Sequence, residues 1–134
     1  MLAIDDFQLD PIKISMCCNL IANGFILACV SNSIRDTIEK ILKVIGIYDY
    51  MTFILGNEDF MTEGKSKPKP DPYCYQLAMK QLNLKPDECL ILEDNFNGIQ
   101  SAKNSGGWLL EVDKVEDVNY ENIVNFIKIN VNNS

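Results

Sequence analysis

The pattern of apolar and polar positions divides the chain into short apolar runs separated by stretches with helical spacing. Four apolar runs predict strands, at 25–30, 51–55, 89–92 and 107–112. They are apolar at successive positions rather than at alternate ones, which is typical of parallel strands covered by helices on both faces. We therefore expect a sheet that lies inside the molecule.

Between these runs, apolar residues recur at intervals of three and four, which predicts amphipathic helices. The predicted helices span 12–23, 34–45, 72–82, 97–105 and 117–129. Ser33 to Asp36 has the spacing of a capping box, Asp71 can cap the third helix, and "NSGG" at 104–107 is a typical helix end. A long loop, 56–70, is expected between the second strand and the third helix.

The resulting order, α-β-α-β-α-β-α-β-α, predicts one α/β domain over residues 1–134. Alternation of this kind is typical of a three-layer, Rossmann-like, doubly wound parallel sheet with right-handed crossovers. Ligands of such sheets bind at the carboxyl ends of the strands. The residues that follow each strand are therefore the ones to examine for chemistry.

The charge of the chain narrows the range of partners. A formal net charge of -7 argues against binding to nucleic acid or to an anionic membrane, because both carry negative charge. It is compatible with a small phosphorylated metabolite if a metal ion and a few cations line the site. No run approaches a membrane span in length, and residues 1–10 lack the features of a signal peptide, so we expect a soluble cytoplasmic protein.

Cysteine and histidine usage excludes several kinds of site. The five cysteines are odd in number and show no C-x-x-C spacing, which favours reduced thiols in the protein interior. The chain contains no histidine, which excludes Ser-His and Cys-His catalysis and histidine-based zinc sites.

Residues suited to phosphate chemistry follow two of the predicted strands and occupy the long loop. Ser31 precedes a helix and could bind an anion with free backbone N–H groups, or it could simply turn the chain while Ser33 caps the helix. Prolines brace the lysines of "GKSKPKPDP", although most loop lysines are merely solvated. Glu93 and Asp94 are hard oxygen ligands suited to Mg²⁺, although Asp94 could instead cap a helix.

Taken together, these segments resemble a known family. "ILACVSNS", "GKSKPKPDPYCY" and "CLILEDNFNGIQSAKNSG" are similar to motifs II, III and IV of haloacid dehalogenase-like hydrolases. The resemblance is to the subgroup of phosphoglycolate phosphatase-like and β-phosphoglucomutase-like enzymes, and it covers residues 11 to about 112. It implies a haloacid dehalogenase-like core, with motifs II to IV in residues 11–134.

The resemblance assigns roles to individual residues. It implies that Ser31 and Lys67 are catalytic and bind the phosphoryl group, with Asn32 beside Ser31 in the substrate site. Lys65 and Lys69 match no catalytic position, and we expect them to be solvated.

The same resemblance implies a metal site at the end of the third predicted strand. Glu93 and Asp94 would hold Mg²⁺, and Gly98 would let the following helix start close to the site.

One part of the family pattern is missing. The family nucleophile is the first Asp of a D-x-D-G-T motif, which becomes an aspartyl-phosphate, and no such motif occurs in these 134 residues. In one interpretation, residues 1–10 are the tail of a cap and the chain is the C-terminal part of a longer enzyme. In the other, "MLAIDDF" is a shortened motif I strand with Asp5 as nucleophile. We favour the first, because Phe7 replaces the second Asp of the motif and a single match is weak.

The missing motif leaves a central strand position to be filled. Residues 1–6, a second copy in a homodimer, or a separate N-terminal polypeptide could fill it. Three functions remain open. The first is a Mg²⁺-dependent phosphatase or phosphomutase of small phosphate esters, with weak or no turnover in this form. The second is a non-catalytic Mg²⁺- and phosphate-binding or assembly subunit that needs a partner strand, and the third is a purely structural domain.

Overall fold

The computed structural model describes residues 7–131 and has helices and strands close to the predicted positions. The helices are α1 (Pro11–Ala22), α2 (Arg35–Ile45), α3 (Tyr73–Leu82), α4 (Phe96–Ser105) and α5 (Tyr120–Phe126). The strands are β1 (Ala28–Val30), β2 (Phe53–Leu55), β3 (Met61–Thr62), β4 (Lys65–Ser66), β5 (Leu90–Glu93) and β6 (Trp108–Glu111). The predictions made for Asp5 and for residues 1–6 fall outside the described residues.

The strands form three separate pairs. β1 lies parallel to β2, with Ala28 opposite Phe53, and β5 lies parallel to β6, with Leu90 opposite Trp108. β3 and β4 form a small antiparallel hairpin inside the loop predicted at 56–70. The hairpin was not predicted, because strands of two residues are too short to show a periodic pattern.

The predicted parallel α/β arrangement is confirmed, and the sheet is divided into two halves. Within residues 7–131, β1 pairs only with β2, and β5 pairs only with β6. No ladder of backbone hydrogen bonds joins β1 to β5 in this part of the chain.

Apolar side chains from the helices join the two halves. One buried cluster, on the side of α3 and α4, includes Leu55 of β2 and Ile91 of β5. A second cluster, on the side of α1 and α5, includes Leu20 with Leu90 and Leu92 of β5 packed against it. Successive residues of a strand point to opposite faces, so the alternation along β5 supplies both clusters.

The start of α1 is held by one carboxylate and one buried lysine. Asp10 accepts hydrogen bonds from the backbone N–H groups of Ile12 and Lys13, both at 3.1 Å. The Lys13 ammonium donates to the carbonyl oxygens of Val115 at 2.8 Å and Val118 at 2.6 Å. These bonds tie α1 to the segment that leads into α5.

The capping box predicted at the start of α2 is wrong. The residue that precedes α2 is Ile34, which makes no side-chain cap. The Glu58 carboxylate instead accepts from the Arg35 N–H, at 2.9 and 3.2 Å. The Ser33 carbonyl accepts from the Asn57 N–H at 2.8 Å. Asn57 and Glu58, which follow β2, therefore bond to the backbone on both sides of Ile34.

The cap predicted for α3 and the end predicted for α4 are confirmed. The Asp71 carboxylate accepts from the Tyr73 N–H at 2.8 Å at the start of α3. Gly106, with φ of 88°, ends α4 in the left-handed region that favours glycine. The last helix is shorter than predicted, because Val115–Asp117 form a 3₁₀ turn and Ile127–Val131 continue as a π-helical turn.

All five cysteines lie within the described residues and none of them is in a disulfide, as predicted. Burial raises the pKa of the Cys17, Cys29 and Cys74 thiols, so these groups stay protonated at neutral pH. Among residues 7–131, no helix is long and apolar enough to cross a lipid bilayer.

Candidate functional site

The candidate site lies at the carboxyl ends of β1 and β5, where Lys69 bridges the two halves of the sheet. The Lys69 ammonium donates to the carbonyl oxygen of Val30, the last residue of β1, at 2.9 Å. The same ammonium donates to Oε2 of Glu93, the last residue of β5, at 2.5 Å. Both side chains are buried, with 9% of Lys69 and 7% of Glu93 exposed. One side chain therefore links two strand ends that share no backbone hydrogen bond.

Tyr75 of α3 completes this buried cluster. Its hydroxyl donates a short hydrogen bond to the same Oε2 of Glu93, and the Lys69 ammonium lies 4.9 Å from the centre of its ring. Burial raises the pKa of Tyr75 well above its usual range, and the negative charge of Glu93 adds to the effect. The phenol therefore stays protonated and remains a hydrogen-bond donor to the carboxylate.

The backbone at Gly98, in the first turn of α4, lies against the other side of Glu93. A Cβ atom added to Gly98 would lie 2.1 Å from Glu93 Oε1 and 2.2 Å from Glu93 Cδ. No side chain fits in that space, so the expectation that Gly98 lets α4 start close to the site is confirmed.

Asn32 holds the backbone of Lys69 from the opposite loop. Its Oδ1 accepts from the Lys69 N–H at 3.0 Å, and its Nδ2 donates to the Lys69 carbonyl at 3.3 Å. Asn32 thus satisfies both backbone groups of Lys69, which fixes the point from which that side chain begins. The structure adds a role in positioning the loop to the substrate-binding role that the resemblance implies.

Ser31 turns the chain after β1. Its backbone N–H donates to the Leu55 carbonyl at 3.0 Å, and its Oγ accepts from the Ser33 N–H at 3.1 Å. A hydroxyl that accepts one hydrogen bond still has its own proton to donate. The arrangement is therefore compatible with both alternatives raised for Ser31: a turn residue and a donor to a bound anion.

The lysines of the long loop occupy different environments. Lys65 is exposed, as expected, whereas Lys67 is half-buried and its backbone N–H donates to the Phe60 carbonyl at 2.7 Å. The expectation that Lys69 is solvated is wrong, because its ammonium reaches Val30 and Glu93. The sequence does contain a signal for Lys69, since it stands directly before Pro70 just as Lys67 stands before Pro68.

Asp94 follows β5 and is exposed. It does not cap α4, because the Asn95 Oδ1 accepts the Gly98 N–H at 2.9 Å and fills that role. The Asn95 amide also donates to Asp94 Oδ1 at 3.4 Å. The capping alternative raised for Asp94 is therefore wrong, and its carboxylate remains accessible.

The carboxylates at this edge suit a magnesium ion that keeps most of its water. Proteins often bind Mg²⁺ through one or two carboxylates, with water and substrate phosphate supplying the other ligands. Asp94 offers an accessible carboxylate, whereas neighbouring Glu93 is engaged by Lys69 and Tyr75. Among residues 7–131, no group of three or more acidic, cysteine or histidine side chains converges. The residues present fit this mode of binding, with Asp94 as the accessible ligand.

The segment after β2 supports the site and was missed by sequence reasoning. A Cβ atom on Gly56 would lie 2.7 Å from the Ser33 carbonyl oxygen and 2.8 Å from the Arg35 nitrogen. This close approach explains the glycine. It also brings the carboxylate of Glu58 to the start of α2, next to the turn that contains Ser31 and Asn32.

Comparison with known proteins identifies the family. Residues 14–112 match the family model described as haloacid dehalogenase-like hydrolase. The chain belongs to the haloacid dehalogenase-like hydrolase family. This match covers the three segments that carry Ser31, Lys67 and Asp94.

Several curated members of the haloacid dehalogenase-like family are phosphatases. The pyrophosphatase PpaX of Bacillus velezensis is 31% identical over 83 residues, which are 62% of this chain and 36% of that protein. The phosphoglycolate phosphatase of Vibrio vulnificus is 34% identical over 83 residues, which are 62% of this chain and 34% of that protein. The chain thus spans about a third of the length of these curated relatives.

Solved structures of the haloacid dehalogenase-like family share the fold. The β-phosphoglucomutase of Clostridium difficile has a TM-score of 0.72 at 20% identity, covering 94% of this chain and 60% of that one. A hydrolase of the same superfamily from Ehrlichia chaffeensis has a TM-score of 0.65 at 23% identity, covering 90% of this chain and 58% of that one. At this level of identity the likeness shows the fold alone.

Proposed function

We propose that this haloacid dehalogenase-like protein acts on small phosphate esters as a Mg²⁺-dependent phosphatase or phosphomutase. The observation that supports this most strongly is the convergence of three segments at the carboxyl ends of β1 and β5. Asn32 bonds to the backbone of Lys69, and Lys69 bonds to Glu93. Asn32, Lys69 and Glu93 therefore lie at one edge of the sheet, where ligands of parallel α/β sheets bind, and Ser31 and Asp94 are their neighbours in the chain.

The proposed roles follow from the charge of a phosphate ester. Transfer of a phosphoryl group mainly requires that its oxygens be positioned and neutralised. In the proposal, the Ser31 hydroxyl donates to a phosphoryl oxygen with Asn32 beside it, and Lys67 supplies positive charge. Asp94, with Glu93 adjacent, holds Mg²⁺, which when bound neutralises the charge that develops on the phosphate oxygens.

The nucleophile is the part of the reaction that residues 7–131 do not supply. The family reaction passes through an aspartyl-phosphate, and the D-x-D-G-T motif that forms it does not occur in this sequence. We propose that the attacking carboxylate is Asp5 or comes from a separate polypeptide or segment. Turnover by the described residues alone is then expected to be weak or absent.

Hydrolysis of p-nitrophenyl phosphate, with and without Mg²⁺, tests the proposal. Asp94→Asn should lower any Mg²⁺-dependent rate by roughly 10²–10³, the usual cost of removing one group that stabilises the transition state. Asp49→Asn is the matched control, since Asp49 is exposed and precedes β2 at the opposite end of the strands. A rate that is also lost in Asp5→Asn assigns the nucleophile. Hydrolysis that ignores Mg²⁺ and survives Asp94→Asn would refute the proposed roles.

A second candidate function is a binding or assembly subunit. The observation in its favour is that β1 and β5 are each paired on one side only within residues 7–131. A second copy of the chain, or another polypeptide, could add a strand there. Binding of Mg²⁺ and inorganic phosphate without turnover, together with a dimer in sedimentation experiments, would favour this function. A chain that binds neither ligand and stays a monomer would contradict both candidates.

A further inference from the structure

Three exposed apolar side chains stand on the segments that carry the candidate site residues. Ile34 is 53% exposed, Met61 is 51% exposed and Phe96 is 73% exposed. Single exposed apolar residues are common on protein surfaces and need no explanation in themselves. These three share a position, however, because they follow the carboxyl ends of β1, β2 and β5.

Two of these side chains lie close to proposed ligand-binding residues because of their place in the chain. Ile34 follows Asn32 by two residues, and Phe96 follows Asp94 by two residues. Two residues of extended chain span at most about 7 Å, so each apolar residue begins within that distance of its polar neighbour. The proposed phosphate site therefore has one apolar neighbour on the side of β1 and another on the side of β5.

The local structure gives no reason for a phenylalanine at position 96. Phe96 is the first residue of α4, and the cap is made by Asn95, whose Oδ1 accepts from the Gly98 N–H at 2.9 Å. Phenylalanine has a lower helix propensity than lysine, glutamine or glutamate, and the first turn of a helix favours acidic side chains. Helical side chains tilt toward the N-terminus of their helix, so the ring projects past the strand ends, where ligands of such sheets bind.

Met61 is held beside the lysine loop by a hairpin with a fixed base. Phe60 is fully buried, and its carbonyl accepts from the Lys67 N–H at 2.7 Å. Met61 follows Phe60 in the chain and lies opposite Ser66 in the hairpin. The exposed methionine therefore stays close to Lys67, which supplies positive charge in the proposed function. Methionine is flexible and adapts its shape to an apolar neighbour.

The part of a phosphate ester beyond its phosphate group would meet these three side chains. Hydroxyl groups of a sugar or polyol would lose hydrogen bonds to water against an apolar surface, which is unfavourable. An aromatic ring would instead remove apolar area from water and stack on the ring of Phe96. A polar centre with an apolar border therefore favours esters of apolar alcohols.

We propose that the substrate is a phosphate monoester of an apolar, aromatic alcohol, whose ring packs on Phe96 with Ile34 and Met61 beside it. The inference rests on the proposed function, because it takes the phosphate group to lie near Ser31 and Asp94. It adds the chemical class of the rest of the substrate. Phe96 is then a specificity-determining residue.

Two phosphonates, which a phosphatase cannot hydrolyse, separate binding from turnover. Calorimetry at saturating Mg²⁺ would measure the affinities for phenylphosphonate and for the polar 2-hydroxyethylphosphonate, at a pH at which both carry two negative charges. The wild type should bind phenylphosphonate roughly tenfold to thirtyfold more tightly, as expected from partial burial of one aromatic ring. Phe96→Ala should reduce this ratio to about threefold or less, whereas Phe96→Tyr, which keeps the ring, should retain most of it.

Phe25→Ala is the matched control. Phe25 is also exposed, but it precedes β1 and so stands at the opposite end of the strands from the site. This variant should keep the ratio of the wild type. Circular dichroism would check the folding of all three variants.

The other outcomes would overturn the inference. Equal affinities of the wild type for the two phosphonates, or a ratio that Phe96→Ala leaves unchanged, would do so while leaving the proposed function intact. Binding of neither phosphonate and of no inorganic phosphate would overturn the proposed function as well. A dimer in sedimentation experiments that Phe96→Ala separates into monomers would show that a second copy of the chain, in place of a substrate, covers these side chains.

Discussion

Gly98→Ala tests how tightly α4 packs against the buried carboxylate. The added Cβ would lie 2.1 Å from Glu93 Oε1 and 2.2 Å from Glu93 Cδ. These contacts are too short to exist, so either the helix moves away or the carboxylate rotates out of its position. In both cases Glu93 is disturbed where Lys69 and Tyr75 bond to it.

The expected loss of stability follows from three effects. Overpacking of a buried site costs about 1–3 kcal/mol. Each hydrogen bond lost from a charged group costs about 1.5–3 kcal/mol, while the better helix propensity of alanine recovers at most about 1 kcal/mol. We expect the free energy of unfolding to fall by about 2–4 kcal/mol, and the melting temperature by roughly 5–15 °C for a domain of this size.

Urea denaturation followed by tryptophan fluorescence provides the measurement. Trp108 is the single tryptophan of the chain, and its indole N–H donates to the Asp87 carbonyl at 2.9 Å, so its signal should report unfolding. The matched comparison is the same Gly98→Ala change in a Glu93→Ala protein. The three atoms nearest to the added Cβ all belong to Glu93, so in that background the change should be neutral or slightly stabilising.

An equal loss of stability in both backgrounds would refute the packing argument, as would an unchanged wild-type stability after Gly98→Ala. If Glu93→Ala does not fold, the Lys69→Met/Glu93→Ala protein permits the same comparison. That background removes the clash without burying an unpaired charge.

Two further predictions concern the helix starts. Hydrogen bonds from the backbone N–H groups of Glu58 and of Arg35 lower the pKa of the Glu58 carboxyl in the folded chain. The charged carboxylate therefore stabilises the fold fully above the pKa of the unfolded chain, which is about 4.3. This stabilisation is lost as the pH falls through the lower pKa of the folded chain. Between about pH 5 and about pH 3, the free energy of unfolding measured in urea should therefore fall less for Glu58→Gln than for the wild type. An equal fall in the two proteins would contradict this. Lys13→Met should lower the free energy of unfolding by about 2–4 kcal/mol, because two carbonyl groups lose a charged donor, whereas the exposed Lys114→Met should change it little.

Most of the fold could be predicted because burial leaves a local pattern. Strands covered on both faces read as continuous apolar runs, and β5 was placed within one residue for that reason. The hairpin of β3 and β4 was missed because it is too short to have a period. The cap of α2 was missed because Glu58 lies 23 residues from Arg35 in sequence, beyond any local signal.

The candidate site could be predicted in part. Strand-end reasoning placed Glu93 and Asp94 at the correct edge of the sheet, but it could not show that Glu93 is buried and paired. Lys67 and Lys69 have nearly the same local sequence, with a proline after each. The contact of Lys69 with Glu93 depends on residues 24 apart in sequence, and its fixed backbone depends on Asn32, 37 residues away.

The division of the sheet has a consequence for how a ligand affects the whole molecule. Within residues 7–131, side-chain packing and the Lys69 bridge hold the two strand pairs together, and no backbone ladder joins them. Ladders fix register residue by residue, whereas apolar contacts are non-directional and tolerate small displacements. The boundary between the halves can therefore adjust more easily than the register within either strand pair. A phosphate and a metal ion bound at this edge of the sheet would contact both halves, so ligand binding would stabilise their arrangement relative to each other.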